Sequence, residues 1–468
     1  MTPLADRPET SARTPRWLLW GIIVGGGAAP LILYWLQFGG LATVTPPQAK
    51  ELLRRQGESA LLVDVRPADD YRAGHIDGAT SWPLDEILAL KHPGDLPDRF
   101  RNKRLLMVCR AGVGSTRAAR HLAGLGVEGV VNVRGGIQEW IGSAAGAKAE
   151  VFDRWRTASG ETVEFPFRRS PWIQQLAAVV CGFVIKPVYT LLSLALAIVL
   201  WRSKAADLAA LRWAMVSFFV GENCCLVNYL LFHGTSYLLE YFHMLGMLLC
   251  FGFAAYAVLE GVDRRILMLS DPDRKCASLS LCRRCVKYAD APCGLKRMFF
   301  LILPACIVLA LMPLCADWAP GSYNTEIFGT PYGYSHLWYQ QAFEVLYCPI
   351  VAVLLLTASL LILSLKRDDP LPSAKLTFAA AMGPLVFGFF RLVLTSFYAR
   401  SLAWSAFWEE STELLFIVAV GFVLWTFREG LSPKNKEEPC EQQTGRACPT
   451  ATARTVSRKS KPGPFFRS

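Results

Sequence analysis

The sequence predicts an α/β domain, a parallel sheet with helices on both faces, joined to an α-helical transmembrane bundle, about eight spans in total. Three observations carry that expectation. Of 468 residues, 53% are hydrophobic and 19% charged, against roughly 25% charged in a soluble globular protein. Eight apolar runs are long enough to cross about 30 Å of hydrocarbon. One long polar stretch, 42–170, separates the first run from the other seven, and within it short apolar runs alternate with helical patterns. The same composition excludes a disordered chain, since apolar residues are plentiful. Fourteen cysteines are too few for a disulfide-stapled scaffold. The formal net charge of +11 bears on topology; the bilayer is the expected partner, and nucleic acid is not.

In chain order, residues 1–16 read as a cytoplasmic N-terminus and 17–38 as a transmembrane anchor. A cleaved signal peptide is the alternative, but the apolar part is long and no convincing A-x-A site follows Phe38. Residues 42–142 form the α/β domain, 143–172 a linker, 173–427 a seven-helix membrane domain and 428–468 a disordered cytoplasmic tail. The seven spans fall near 173–201, 208–232, 237–259, 299–316, 342–365, 376–398 and 408–427. Lys and Arg between spans set the orientation. Loop 261–298 holds nine and the tail after Phe427 nine, while connections 202–207 and 366–375 hold two and three. On the other side, 317–341 and 233–236 hold none, and Arg400 stands alone before the last span. The alternation puts both termini in the cytoplasm and the α/β domain outside it, most simply in a bacterial periplasm. Arg7, Arg13 and Arg16 agree.

Within the α/β domain, 61–65 (LLVDV), 105–108 (LLMV) and 130–133 (VVNV) are continuous apolar runs of the kind buried in a parallel sheet. Helical patterns at 47–56 and 115–125 intervene, which is the α/β alternation. The second strand runs into Cys109-Arg110-Ala111-Gly112-Val113-Gly114-Ser115, after which a helix opens. There, backbone N–H groups and the helix dipole converge on an anion, and the same field favours a nucleophilic thiolate. The alternative is a buried structural cysteine.

Further motifs surround this loop. Asp64-Val65-Arg66 is one, and Tyr71-Arg72-Ala73-Gly74-His75-Ile76-Asp77-Gly78-Ala79 with Trp82-Pro83-Leu84 another. Ala118-Ala119 and Arg134-Gly135-Gly136-Ile137-Gln138-Glu139-Trp140 follow. In type, order and spacing these resemble the rhodanese family over roughly 43–141. The resemblance implies a sulfurtransferase in which Cys109 is catalytic, accepting sulfane sulfur as a persulfide and passing it to a thiol acceptor. It implies substrate binding by Arg110, Ala111, Gly112, Val113, Gly114 and Ser115, and no cofactor for that chemistry. One departure matters: the family's loop often reads C-R-S-G-x-R-S, and Gly114 stands where the second arginine would be. Losing one cation of two should weaken an anionic donor such as thiosulfate more than persulfide chemistry itself. A cysteine phosphatase would need arginine at position 115, which is serine. Asp64 and Arg66 read as a structural ion pair, His75 as a structural hydrogen-bonder, and Gly74, Gly78, Gly135 and Gly136 as turn formers.

The membrane domain resembles no family we identify, so its reading rests on placement. Ionisable groups inside a span are costly and point to function. Glu222 lies mid-span, with Asn223 beside it and Asn228 further out. Glu240 and His243, and likewise Glu410 and Glu413, are three apart and so share a helix face. A cation or proton pathway or a metal site is one reading of these residues, tolerated polarity the other. Glu344 and Glu409 read as facing headgroups or water, and Arg391 as a counter-ion or an anion contact. In the cytoplasmic loop Cys276, Cys282, Cys285 and Cys293 offer four thiols in a reducing compartment, for zinc, an iron–sulfur cluster or none. Cys181, Cys224, Cys225, Cys250 and Cys306 read as packing. Cys315 and Cys348, near the outer face, could relay sulfur or form a disulfide. The leading expectation is a membrane-anchored extracytoplasmic sulfurtransferase coupled to handling or uptake of sulfur species. The alternative is a transporter or membrane metal or redox protein with a sulfur-binding or sensing domain.

Overall fold

A computed structural model describes residues 16–143, 151–164, 170–232, 236–263, 294–315, 322–335, 338–365, 371–398 and 402–426. The chain divides into two compact units, Met1–Ala419 and Val420–Ser468; both sites described below lie in the first.

Helix α1 (Arg16–Phe38) leads directly into the α/β domain. Its main sheet is five-stranded and parallel, in the order β1 (Thr43–Val44), β6 (Val130–Val133), β5 (Arg104–Val108), β2 (Ala60–Asp64), β4 (Thr80–Ser81). Successive side chains of a strand point to opposite faces, and β5 shows why its run is apolar without a break. Leu105 and Met107 enter one core with Trp82, Phe100, Ala118 and Leu122. Leu106 and Val108 enter the other with Leu53, Val133, Ile137 and Trp140. Helices α4 (Leu84–Ala89) and α5 (Val113–Gly124) thus line one face, and α2 (Pro46–Gln56) and α6 (Gly136–Ser143) the other. Both faces are covered, as a parallel sheet requires.

Part of the expected linker belongs to this domain. Strands β7 (Arg154–Thr157) and β8 (Thr162–Glu164) form a hairpin whose first strand pairs antiparallel with β3 (Gly74–Ile76). The segment is polar and carries no apolar run, but β3 offers it a free edge and Asp77 a partner for Arg156 at 2.7 Å. Lys50 adds a second tie, 2.6 Å from Asp153.

Among the described residues, six helical segments are long and apolar enough to cross a membrane: Arg16–Phe38, Trp172–Val199, Ala206–Phe232, Tyr237–Gly261, Tyr339–Leu365 and Leu371–Tyr398. The second comprises α7 (Trp172–Val180), a π segment (Cys181–Ile185) and α8 (Lys186–Val199). The third and fourth are α9 (Ala206–Phe232) and α10 (Tyr237–Gly261). Two expected spans fall outside the six. The run at 299–316 gives α11 (Gly294–Leu311), of which the apolar part Leu301–Cys315 is short. The last run lies in α15 (Leu402–Thr426), which is long enough but holds Glu409, Glu410 and Glu413. A hairpin of β9 (Ser322–Ile327) and β10 (Thr330–Ser335) occupies the loop before α12 (Trp338–Gln341) and packs on α6. After it come α13 (Cys348–Leu365) and α14 (Leu371–Tyr398).

Two further expectations need correction. Lys375, assigned to a cytoplasmic connection, lies inside α14 and is only 6% exposed. Glu260 and Asp263, at the end of α10, hold its ammonium at 2.7 and 2.6 Å, which offsets the cost of burying it. Glu344, expected to face headgroups or water, is 3% exposed. Arg391 pairs with it at 3.2 Å and with Glu409 at 2.7 Å, so Arg391 is the counter-ion of both.

Candidate functional site

Cys109 follows the last residue of β5 at the carboxyl edge of the parallel sheet, and α5 opens four residues later. The Gly112 N–H donates to its Sγ at 3.2 Å, so the loop closes over the sulfur with an amide aimed at it. Four contacts hold that shape. Thr116 Oγ1 donates to the Gly112 carbonyl at 2.6 Å, and Ser115 Oγ donates to Asn132 Oδ1 at 2.8 Å, tying the helix start to β6. From below, Ile137 N–H donates to the Cys109 carbonyl at 2.8 Å and Gln138 N–H to the Arg110 carbonyl at 3.2 Å. The turn carrying those donors needs Gly136. Its φ is +61°, and a Cβ there would land on the Cys109 carbonyl oxygen and within 2.8 Å of Gly112 N.

Of the six expected binding residues, Arg110 is exposed, Ala111, Val113 and Gly114 are half-buried, and Gly112 and Ser115 are buried. Cys109 itself is 8% exposed. A Cβ at Gly114 would sit 3.6 Å from Sγ, in ordinary contact, so the missing arginine is an absence of charge and not of space. Thr116 and Asn132 escaped the sequence reading; hydroxyl and amide side chains beside a nucleophile loop were the available signal.

Asp64 and Arg66 form the expected structural pair at 2.6 Å, and Arg66 also donates to the Gly74 carbonyl at 2.7 Å. His75 Nδ1 donates to the Tyr71 carbonyl at 2.9 Å and its ring stacks on Tyr71. Arg134 pairs with Glu139 at 2.5 Å. Burial disfavours its cation, yet the Glu139 hydrogen bonds and charge hold it above its ordinary range.

The domain is fastened to the apolar helix α1 through the helix behind Cys109. Arg120 of α5 donates to the carbonyls of Leu36, Gln37 and Gly39 at 2.9–3.2 Å, capping the end of α1. Beside the Cys109 loop lies a cavity of about 370 Å³ walled by Tyr34 and Phe38 of α1, Ala111, Arg134 and Gly135 of the α/β domain, and Tyr339 of α12.

A second polar cluster sits inside the bundle. Carboxylate oxygens of Glu222, Glu410 and Glu413 lie within 4.8 Å of one another. Lys186 stands 2.6 Å from Glu222 and 3.1 Å from Glu410. Tyr189 donates to Glu222 at 2.8 Å and also contacts Glu410. Next to the cluster, Gly221 and Gly246 cross so tightly that a Cβ on Gly246 would be 2.7 Å from the Gly221 Cα. That crossing brings His243 Nδ1 to 3.4 Å from Glu222. Glu240 does not join, contrary to expectation; it accepts from Asn228 at 3.2 Å, nearer the helix start. Lys186 and Tyr189 escaped the sequence reading, although a lysine within an apolar run is the same signal as Glu222.

The cysteines of the loop expected to be cytoplasmic, Cys276, Cys282, Cys285 and Cys293, lie outside the described residues. Cys315 is exposed and Cys348 buried, and both are free thiols; a disulfide between them is not formed, and Cys348 packs on Gly388 instead.

Comparison with known proteins isolates the same region. The rhodanese-like domain model matches residues 45–143. A thiosulfate sulfurtransferase GlpE of Pseudomonas entomophila is 33% identical over 107 residues, 23% of this chain and 91% of the relative. An uncharacterized protein of Synechocystis sp. is 32% identical over 98 residues, 21% of this chain and 51% of the relative, so the chain spans about half its length. The adenylyltransferase and sulfurtransferase uba4 of Ogataea parapolymorpha is 37% identical over 79 residues, 17% of this chain and 19% of the relative. With the parallel sheet, the Cys109 loop and the two-sided core in place, the chain belongs, through residues 45–143, to the rhodanese-like family, and the rest of it is a separate, largely helical part with several apolar helices.

Proposed function

We propose that the chain is a membrane sulfurtransferase of the rhodanese type, with its α/β domain on the extracytoplasmic side of a bacterial inner membrane and both termini in the cytoplasm. The observation that carries the reading is the Gly112 N–H aimed at Cys109 Sγ at 3.2 Å, in a loop that opens onto a helix N-terminus. A thiolate attacks the outer sulfur of a sulfane donor; a new S–S bond forms on Cys109, the donor's S–S bond breaks, and its electron pair leaves with the remaining fragment. For thiosulfate that fragment is sulfite. The persulfide anion then sits in the field of the loop amide and the helix dipole. An acceptor thiolate attacks its terminal sulfur, leaves as the new persulfide and returns Cys109 as thiolate, so no external oxidant enters. The named activity of the Pseudomonas relatives makes thiosulfate the donor to try first, while Gly114 leaves the loop one cation short of the family's usual pair.

The cavity shared by the loop and α1 favours delivery of sulfur at the membrane face, to an acceptor or to the bundle, which would then handle or take up sulfur species. The test is mass spectrometry of the full-length protein exposed to thiosulfate and to a low-molecular-weight persulfide. A gain of one sulfur atom on Cys109, absent in Cys109→Ser, is expected; no adduct with either donor overturns the reading. A second reading, a transporter or membrane metal or redox protein whose α/β domain only senses sulfur, is favoured by the charged cluster buried in the bundle. Zinc or an iron–sulfur cluster on Cys276, Cys282, Cys285 and Cys293 belongs with it, and elemental analysis of wild type and Cys282→Ser decides that point.

A further inference from the structure

The cluster in the bundle holds more negative charge than its cations balance. Three carboxylates, Glu222, Glu410 and Glu413, share a space in which Lys186 is the ammonium in contact. Even with His243 beside it, 3.4 Å from Glu222, three carboxylates face at most two cationic side chains. The His243 Nδ1–H donates to the Gly221 carbonyl at 3.2 Å, since a carbonyl cannot donate.

A second observation points to what is missing. Glu413 is only 7% exposed, and among the described residues its carboxylate accepts no hydrogen bond. Glu222 Oε1, on a residue 1% exposed, likewise has no hydrogen bond. Lys186 and Tyr189 spend their donors on Glu222 and Glu410. A buried acceptor without a donor is expensive, and Glu222 Oε1 is one inside a cluster of carboxylates. A proton on Glu413 converts an acceptor-only group into a donor, with unsatisfied Glu222 among the carboxylates it adjoins.

We propose that Lys186, Tyr189, Glu222, His243, Glu410 and Glu413 form an intramembrane proton-binding centre, in which Glu413 holds the proton and the carboxylates exchange it as a unit. The inference stands apart from the sulfurtransferase reading. A divalent cation would supply the charge as well, but it would sit against the Lys186 ammonium, which already engages two of the three carboxylates. The groups near Glu413 come from four helices: Lys186 and Tyr189 from α8, Glu222 from α9, Cys250 from α10, and Glu409 and Glu410 from α15 itself, while His243 reaches the cluster through Glu222 and Cys225 lies near Lys186, Glu222, Glu240 and Glu410.

The experiment is infrared difference spectroscopy of the full-length protein in lipid nanodiscs, between mildly acidic and mildly alkaline buffer. A carboxylic-acid C=O band that changes with pH and shifts in heavy water is expected. Labelled glutamate should move that band in the wild type, which identifies the residue type without any substitution. Glu413→Gln should abolish it, Tyr189→Phe should displace it, and Glu240→Gln, outside the cluster, should leave it as in wild type. Absence of a glutamate acid band in the wild type overturns the proposal, and so does a band that survives Glu413→Gln. Elemental analysis of the same samples adds one arm: a stoichiometric divalent metal lost in Glu413→Gln makes this a metal site and overturns the proton reading.

Discussion

Replacing Gly136 with alanine perturbs the Cys109 loop without touching a reactive group, and its cost follows from two separate effects. At φ +61° a residue with a Cβ pays about 1–2 kcal/mol for left-handed backbone. The new Cβ also overlaps the Cys109 carbonyl oxygen and approaches Gly112 N and Ala111 N to 2.8 and 2.9 Å. All three are backbone atoms, so a rotamer change cannot relieve them, and overpacking of this kind costs about 1–3 kcal/mol. The sum is roughly 2–5 kcal/mol, a large share of the 5–15 kcal/mol that holds a domain folded. At about 4–8 °C per kcal/mol for a domain near 100 residues, the α/β transition should fall by roughly 8–40 °C. Calorimetry of the full-length protein measures it, beside persulfide formation, which should slow because the displaced atoms carry the amide that faces Sγ. Gly114→Ala is the control, since its Cβ meets Sγ at an ordinary 3.6 Å and its backbone φ is not positive. A Gly136→Ala protein that melts and reacts like wild type would refute the argument that this turn props the loop.

Gly114→Arg should lower the KM for thiosulfate about two- to tenfold, the worth of one added charge-assisted contact at a partly exposed site, with kcat less affected; an unchanged or higher KM in steady-state assays counts against a missing cation. Arg66→Met should destabilise the α/β domain by about 3–5 kcal/mol, because it leaves buried Asp64 without its partner. The double change Asp64→Leu with Arg66→Met should cost less than that single change, and chemical denaturation of both proteins shows whether it does. A reporter active only outside the cytoplasm should work when fused at Ser322 and stay silent at Ser278, and activity at Ser278 would reverse the topology drawn from the Lys and Arg distribution.

The α/β domain was legible because its signals are local. The runs at 61–65, 105–108 and 130–133 became β2, β5 and β6 within a residue, since strands buried on both faces must be apolar throughout. Cys109 and its glycines were legible as well, because a strand–loop–helix junction places a nucleophile by chain order alone. The hairpin of β7 and β8 was not, because its pairing partner, β3, lies some eighty residues away and the segment has no periodicity of its own. Glu344 shows the same limit: near the end of a run it reads as solvated, and only Arg391 from another helix makes its burial affordable.

By itself the sequence determined the division into one α/β domain and an oily helical remainder, and the family of that domain. These rest on composition, period and spacing, which are properties of neighbours along the chain. Tertiary structure decided which charges meet. It separated Glu240 from His243 although they share a helix face, and it brought Lys186 and Tyr189 to Glu222, Glu410 and Glu413 across three helices. It also set Arg120 on the end of α1, so that the helix behind Cys109 is fastened to the first span. The physical reason is that a salt bridge needs two groups within about 4 Å, and for residues far apart in sequence that distance is set by how the helices cross, as the Gly221–Gly246 contact shows for His243 and Glu222.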